Sequence, residues 1–149
     1  MASVTIEEIL NRAREFEHRV EDFYATLRDT TSDNGVKLLT YYLSRHRRHI
    51  ERALDALSAR ELHRVKAVRL KVDVPVERPE ELLSTPPERV NGSALLSMAI
   101  EYDGRLIDFY KRVGEQAVGE EAERLIDSLV RLEEKDIVML KKMAAMSYF

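Results

Sequence analysis

Apolar residues recur every three or four positions through Ile6, Ile9, Leu10, Ala13, Phe16, Val20, Phe23, Tyr24 and Leu27, the spacing that lays one stripe along a helix. The pattern predicts a first helix over residues 5–30, opened by Thr5 and Glu8 in the form of a capping box. The polar run from Thr30 to Gly35 ends it, and Asn34-Gly35 is a turn signal. A second stripe, Val36, Leu39, Tyr42, Leu43, Ile50, Ala53, Leu54 and Leu57, predicts a helix over 35–61. The turn is short, so the two helices form an antiparallel hairpin.

Residues 62–92 break the pattern. They hold all four prolines, an alternating stretch from Val68 to Val72, and a short helical-looking run from Pro79 to Leu83. Bundle loops usually take only a few residues, so this segment reads as a crossover. A helix of about 25 residues is roughly 38 Å long, and an extended connection of about 30 residues can run its whole length. Periodicity then resumes with Leu96, Ala99, Leu106, Tyr110, Val113 and Ala117, predicting a helix over 93–117. After Gly119 it continues with Ala122, Leu125, Ile126, Leu129, Val130, Ile137, Leu140 and Met143, predicting a helix over 120–146. The expected architecture is all-α: an antiparallel four-helix bundle made of two helical hairpins, in one domain spanning 1–149.

The hairpins share sequence as well as layout. Displaced by 86 residues, the segment Ala13–Tyr24 lies over Ala99–Tyr110, and six of the twelve positions are identical. A common helical pattern accounts for the apolar matches. It does not require Glu15/Glu101, Arg19/Arg105 and Asp22/Asp108 to repeat, and the repetition reads as an internal duplication.

Composition narrows the chemistry. Apolar residues make up 44% and charged residues 34% of the 149, a balance that suits amphipathic helices and one buried core. No cysteine is present, which excludes disulfides, thiolate metal sites and a cysteine nucleophile. Neither a signal-peptide pattern nor a membrane-length apolar run occurs, so a cytoplasmic location is expected. A net charge of −3 offers no bulk attraction to nucleic acid. The basic run Arg45–Arg52 lacks the aromatic interleaving of a nucleic-acid surface, and such a partner is not expected.

Several polar residues sit where the stripes demand apolar ones. Glu17 lies in the series 10, 13, 17, 20, 24, and Asp103 in the series 96, 99, 103, 106, 110. His46 and His49 interrupt the second helix, and Glu133 and Asp136 the fourth. Counted from the two turns, Glu17, His49, Asp103 and Asp136 fall at nearly equal distance, which in antiparallel hairpins means equal height. His46 and Glu133 lie one turn away on the same faces. Carboxylates gathered at one buried level repel and lose hydration, so they require protons, cationic partners or a metal. Imidazole nitrogen with carboxylate oxygen suits iron, manganese, zinc or cobalt.

With these residues in place the chain resembles the ferritin-like, rubrerythrin-like proteins. That family is similar in directing inward one Glu from each of two helices and a Glu-x-x-His pair from each of the other two. Glu17 and Asp103 correspond to the first kind of position, each seven residues before a tyrosine. His46-Arg-Arg-His49 and Glu133-Glu-Lys-Asp136 correspond to the second. The resemblance implies a metal site of Glu17, His46, His49, Asp103, Glu133 and Asp136 at the bundle centre, holding iron or another divalent metal such as manganese or zinc. It also implies oxygen-, peroxide- or iron-linked chemistry, as in a metal-dependent oxidoreductase, and a homodimer. The chain departs from the family in that neither copy keeps Glu-x-x-His: His46 stands for a glutamate and Asp136 for a histidine.

The residues also admit a metal-free reading. The histidines can be partly solvated members of a basic helix face, and the acids can form a buried salt-bridge network with arginines or histidines. The chain would then be a helical-bundle interaction protein with a vestigial site. Tyr24 and Tyr110 read as core residues, and Met139, Met143 and Met146 as gap-filling core or an oligomer contact. The apolar terminus Met143–Phe149 supports self-association.

Overall fold

The protein's structure, a computed structural model, describes residues 4–45, 49–71, 73–75, 85–116 and 119–146. It is all-α. Helix α1 spans Ile6–Thr30, α2 Asn34–Arg45, α3 His49–Asp55, α4 Ala59–Lys66, α5 Gly92–Gln116 and α6 Glu120–Ala145, with a 3-10 turn at Pro87–Arg89 before α5. No strand occurs among the described residues, and no helix among them is long and apolar enough to cross a membrane.

Helix α1 begins as its sequence dictates. The Thr5 side chain accepts a hydrogen bond from the Glu8 N–H, and the Glu8 carboxylate takes that of Thr5, satisfying two donors that helix geometry leaves over. Asn34-Gly35, expected in the turn, instead opens α2. The reason is Asp33, whose carboxylate accepts from the N–H groups of Gly35 (2.8 Å) and Val36 (3.3 Å) and so caps the helix one residue earlier. At α5 the cap is Asn91, accepting from Ala94 N–H at 2.8 Å. Between α5 and α6 the chain turns through Gly119 at φ +108°, a conformation that side chains disfavour.

The second predicted helix, 35–61, requires correction. Regular helix stops at Asp55, and a separate helix starts at Ala59, because Ser58 and Glu61 build a second capping box. Residues 46–48, and with them His46, lie outside the described residues, as does the helical-looking run from Pro79 to Leu83. The crossover is therefore helical as far as Lys66. The alternating stretch beyond it pairs with the start of the chain: Ile6 N–H donates to Val68 O and Leu70 N–H to Val4 O, both at 2.8 Å, around an isolated antiparallel bridge between Thr5 and Arg69. Arg12 then holds the following turn, hydrogen-bonding Asp73 and, at 3.0 Å, the Val74 carbonyl.

Helices α5 and α6 pack along one another, α1 packs on α2, α3 on α6, and α2 on α5. All contribute to one contiguous core that includes Leu10, Val20, Leu39, Ile50, Leu106 and Leu129. Tyr102 of α5 joins α1 to it, its ring meeting Phe16 edge-on at 6.5 Å and Tyr24 at 6.3 Å. The repeated segments behave alike. Val20 and Leu106, Tyr24 and Tyr110 are all buried. Glu15 pairs with Arg19 at 2.9 Å in α1, as Glu101 pairs with Arg105 at 3.7 Å in α5.

Candidate metal centre

Four polar residues are buried among the described residues: Thr40, His49, Asp103 and Glu133. Three of them are ones that the sequence singles out, and each occupies a position where its helix otherwise presents Leu, Ile or Ala to the core. His49 opens α3 directly before Ile50. Glu133 follows Leu129 by four residues on α6, and Asp103 follows Ala99 by four on α5. Amphipathic spacing thus carries ionisable groups inward with the stripe.

His49, Glu133 and Asp136 come together. Taking one ligand atom from each, all three atoms lie within 4.8 Å of one another. His49 and Glu133 are only 2% and 1% exposed, whereas Asp136 is half-buried. Nε2 of His49 lies 2.6 Å from Oδ2 of Asp136, joining α3 to α6. The other ring nitrogen, Nδ1, is buried with no hydrogen-bond partner among the described residues. A buried polar atom in that condition calls for an explanation.

Glu17 and Asp103 do not belong to this three-residue group. Arg14, one turn before Glu17, reaches Glu51, two residues beyond His49, at 3.3 Å. On α5 the residue preceding Asp103 is Tyr102, the ring lodged between Phe16 and Tyr24. Asp103 is buried, and Glu17 is half-buried with its Oε1 shielded from solvent.

Tyr42 is a neighbour that the sequence did not single out. Burial first, and then the negative charge of Asp136, push its hydroxyl above the usual tyrosine range. The signal was present, since Tyr42 lies seven residues before His49 on the same stripe. Tyrosine satisfies an apolar pattern with its ring alone, so the stripe does not distinguish it from a core residue.

The donor set fits a metal ion. One imidazole with carboxylates, and no thiolate, is a ligand set for iron, manganese or zinc. Compared with protein-family models, with curated proteins and with solved structures, the chain matches none.

Proposed function

We propose that this chain is a ferritin-like four-helix bundle, cytoplasmic and dimeric, that binds a transition-metal ion at its centre. The observation that carries the reading is the convergence of His49, Glu133 and Asp136 on one small buried volume, two of the three almost wholly withdrawn from solvent. A metal ion would offset the cost of withdrawing these carboxylates from water. Glu17 and Asp103, which sequence counting puts at the same level, are on this reading the source of any additional ligands. Iron or manganese held in such a nitrogen and oxygen set supplies one-electron chemistry toward oxygen or peroxide, which is the activity that the ferritin-like resemblance implies.

The metal-free reading also has an observation in its favour, the 2.6 Å contact between His49 and Asp136. It closes an acid–histidine pair with no ion and lets the bundle serve as an interaction scaffold. Metal analysis of protein purified without chelator, followed by calorimetric titration with manganese, zinc and, anaerobically, ferrous iron, separates the two. Near-stoichiometric metal, lost in both His49→Ala and Glu133→Ala, is expected. Binding that those substitutions leave unchanged would sink the metal reading.

A further inference from the structure

Away from the bundle centre, Arg105, Asp108, Lys111 and Arg112 of α5 line a surface cleft of about 410 Å³, a volume within the range of small-molecule sites, about 300–1,000 Å³. At about 100° per residue the four positions fall within roughly one third of the helix circumference, turned away from the buried Leu106, Tyr110 and Val113. Arg105 is half-buried and stands 3.7 Å from Glu101. Arg112 Nε donates to the Asp108 backbone carbonyl at 3.4 Å, which folds that side chain back along the helix. Among the described residues neither Lys111 nor Arg112 is paired with a carboxylate.

The internal duplication isolates what is particular to this sector. On α1 the matching positions are Arg19 for Arg105 and Asp22 for Asp108, but Ala25 for Lys111, Thr26 for Arg112 and His18 for Gly104. The α5 copy therefore carries two more cations and one side chain fewer. Gly104 lies four residues before Asp108 and seven before Lys111, on the same stripe. A glycine inside a helix is destabilising relative to alanine, and packing does not require one here, since a Cβ at Gly104 would meet nothing within 4 Å. What the glycine supplies is room beside the cations.

We propose that this cleft binds a small phosphate-bearing molecule, with Arg112 and Lys111 on the phosphate, Arg105 flanking them, and Gly104 leaving space for the body of the ligand. The inference is independent of the metal reading. A guanidinium fork matches two phosphate oxygens, and an ammonium adds a point charge. Asp108 keeps the cleft from being uniformly basic: its carboxylate repels a second anionic group and accepts from a hydroxyl or amine. The ligand class is therefore an organic phosphate with a hydroxyl-bearing body, in preference to an inorganic polyphosphate.

Titration with ribose 5-phosphate and with inorganic pyrophosphate at low ionic strength, followed by amide NMR, tests this. Ribose 5-phosphate is expected to shift the amides of residues 104–112 saturably and to bind more tightly than pyrophosphate. Lys111→Gln and Arg112→Gln should each weaken it by about tenfold, the usual worth of a hydrogen bond to a charged group. Arg124→Gln removes the same charge from an exposed position on α6 and should leave binding unchanged. Asp108→Ala should tighten pyrophosphate and abolish the preference for the sugar phosphate. Gly104→Leu should raise the thermal unfolding midpoint, because leucine favours a helix, and yet lose ribose 5-phosphate, a combination that a purely structural role would not give. No saturable shift with either probe, or an equal loss in Arg124→Gln, would reduce the cations to a solvated face and overturn the proposal. Undiminished binding in Gly104→Leu would overturn it as well.

Discussion

Nε2 of His49 and Oδ2 of Asp136 are 87 residues apart in sequence and 2.6 Å apart in space. The pair joins α3 of the first half of the chain to α6 of the second, beside Glu133. Further along the same interface, Arg64 of α4 makes two hydrogen bonds to Glu121 near the start of α6, at 2.7 and 3.1 Å. A later residue on the α3–α4 side therefore meets an earlier one on α6, the order expected of antiparallel neighbours.

Zinc is expected to raise the thermal unfolding temperature of the natural protein. A ligand that binds only the folded state and is present at about 100 times its Kd stabilises by about 2.7 kcal/mol. His49→Ala and Glu133→Ala should lose that gain. A calorimetric scan in which zinc lifts all three proteins equally would place the binding elsewhere.

Ser58→Ala should cost about 1 kcal/mol, the usual worth of an N-cap side chain. Ser58 accepts from the Glu61 N–H at 3.2 Å and starts α4, the helix that separates this fold from a simple hairpin continuation. Urea unfolding followed by circular dichroism measures it; an unchanged midpoint would mean that packing alone sets the break.

Leu106→Ala should destabilise by about 2–5 kcal/mol, since truncating a core leucine removes buried apolar surface and leaves a cavity. The side chain is fully buried on α5 and occupies the place that Val20 holds on α1. Val20→Ala should cost less, because fewer methyl groups are lost. The reverse order in urea would contradict the matched environments.

The pairing of Arg12 with Asp73 should appear in acid. The hydrogen bond from Arg12, followed by its charge, holds the Asp73 carboxyl below its ordinary value of 3.8. A depressed carboxylate contributes stability that is present above its unfolded pKa and lost as pH falls through the folded one. Natural protein and Asp73→Asn should therefore differ most near neutral pH and converge below pH 3.8. A difference that persists undiminished in strong acid would show that the substitution acts through something other than this charge.

Leu38 and Tyr41 of α2, Val138 and Met139 of α6, and Met146 just beyond α6 are exposed large hydrophobic residues. If the chain dimerises, a charge placed among them should interfere. Light scattering of the natural protein is expected to give the mass of a dimer, with Met146→Glu and Leu38→Glu shifted toward monomer. A monomeric natural protein at working concentration would remove the dimer from the proposed function.

The periodicity of apolar residues by itself determined where α1, α5 and α6 run, within a residue or so at each end. It did so because a stripe every three or four positions has one efficient solution, a helix with that face buried. The same periodicity placed Asp103, His49 and Glu133 inward, since a polar residue on the stripe is carried in with its neighbours. Local chemistry that competes with the stripe was harder to weigh. Ser58 and Glu61 lie within a pattern that continues through Leu57, and their capping box stops a helix that hydrophobicity alone would extend. Which inward groups meet was decided only by tertiary structure. In sequence counting four of the six residues share a level and His46 and Glu133 lie one turn away, but a level is a plane, and separations within it depend on how the helices are rotated and packed. Packing brings His49, Glu133 and Asp136 within 4.8 Å and leaves Glu17 and Asp103 outside that group. It also sets the 2.6 Å contact between His49 and Asp136, because the orientation of a ring depends on atoms that sequence spacing cannot place.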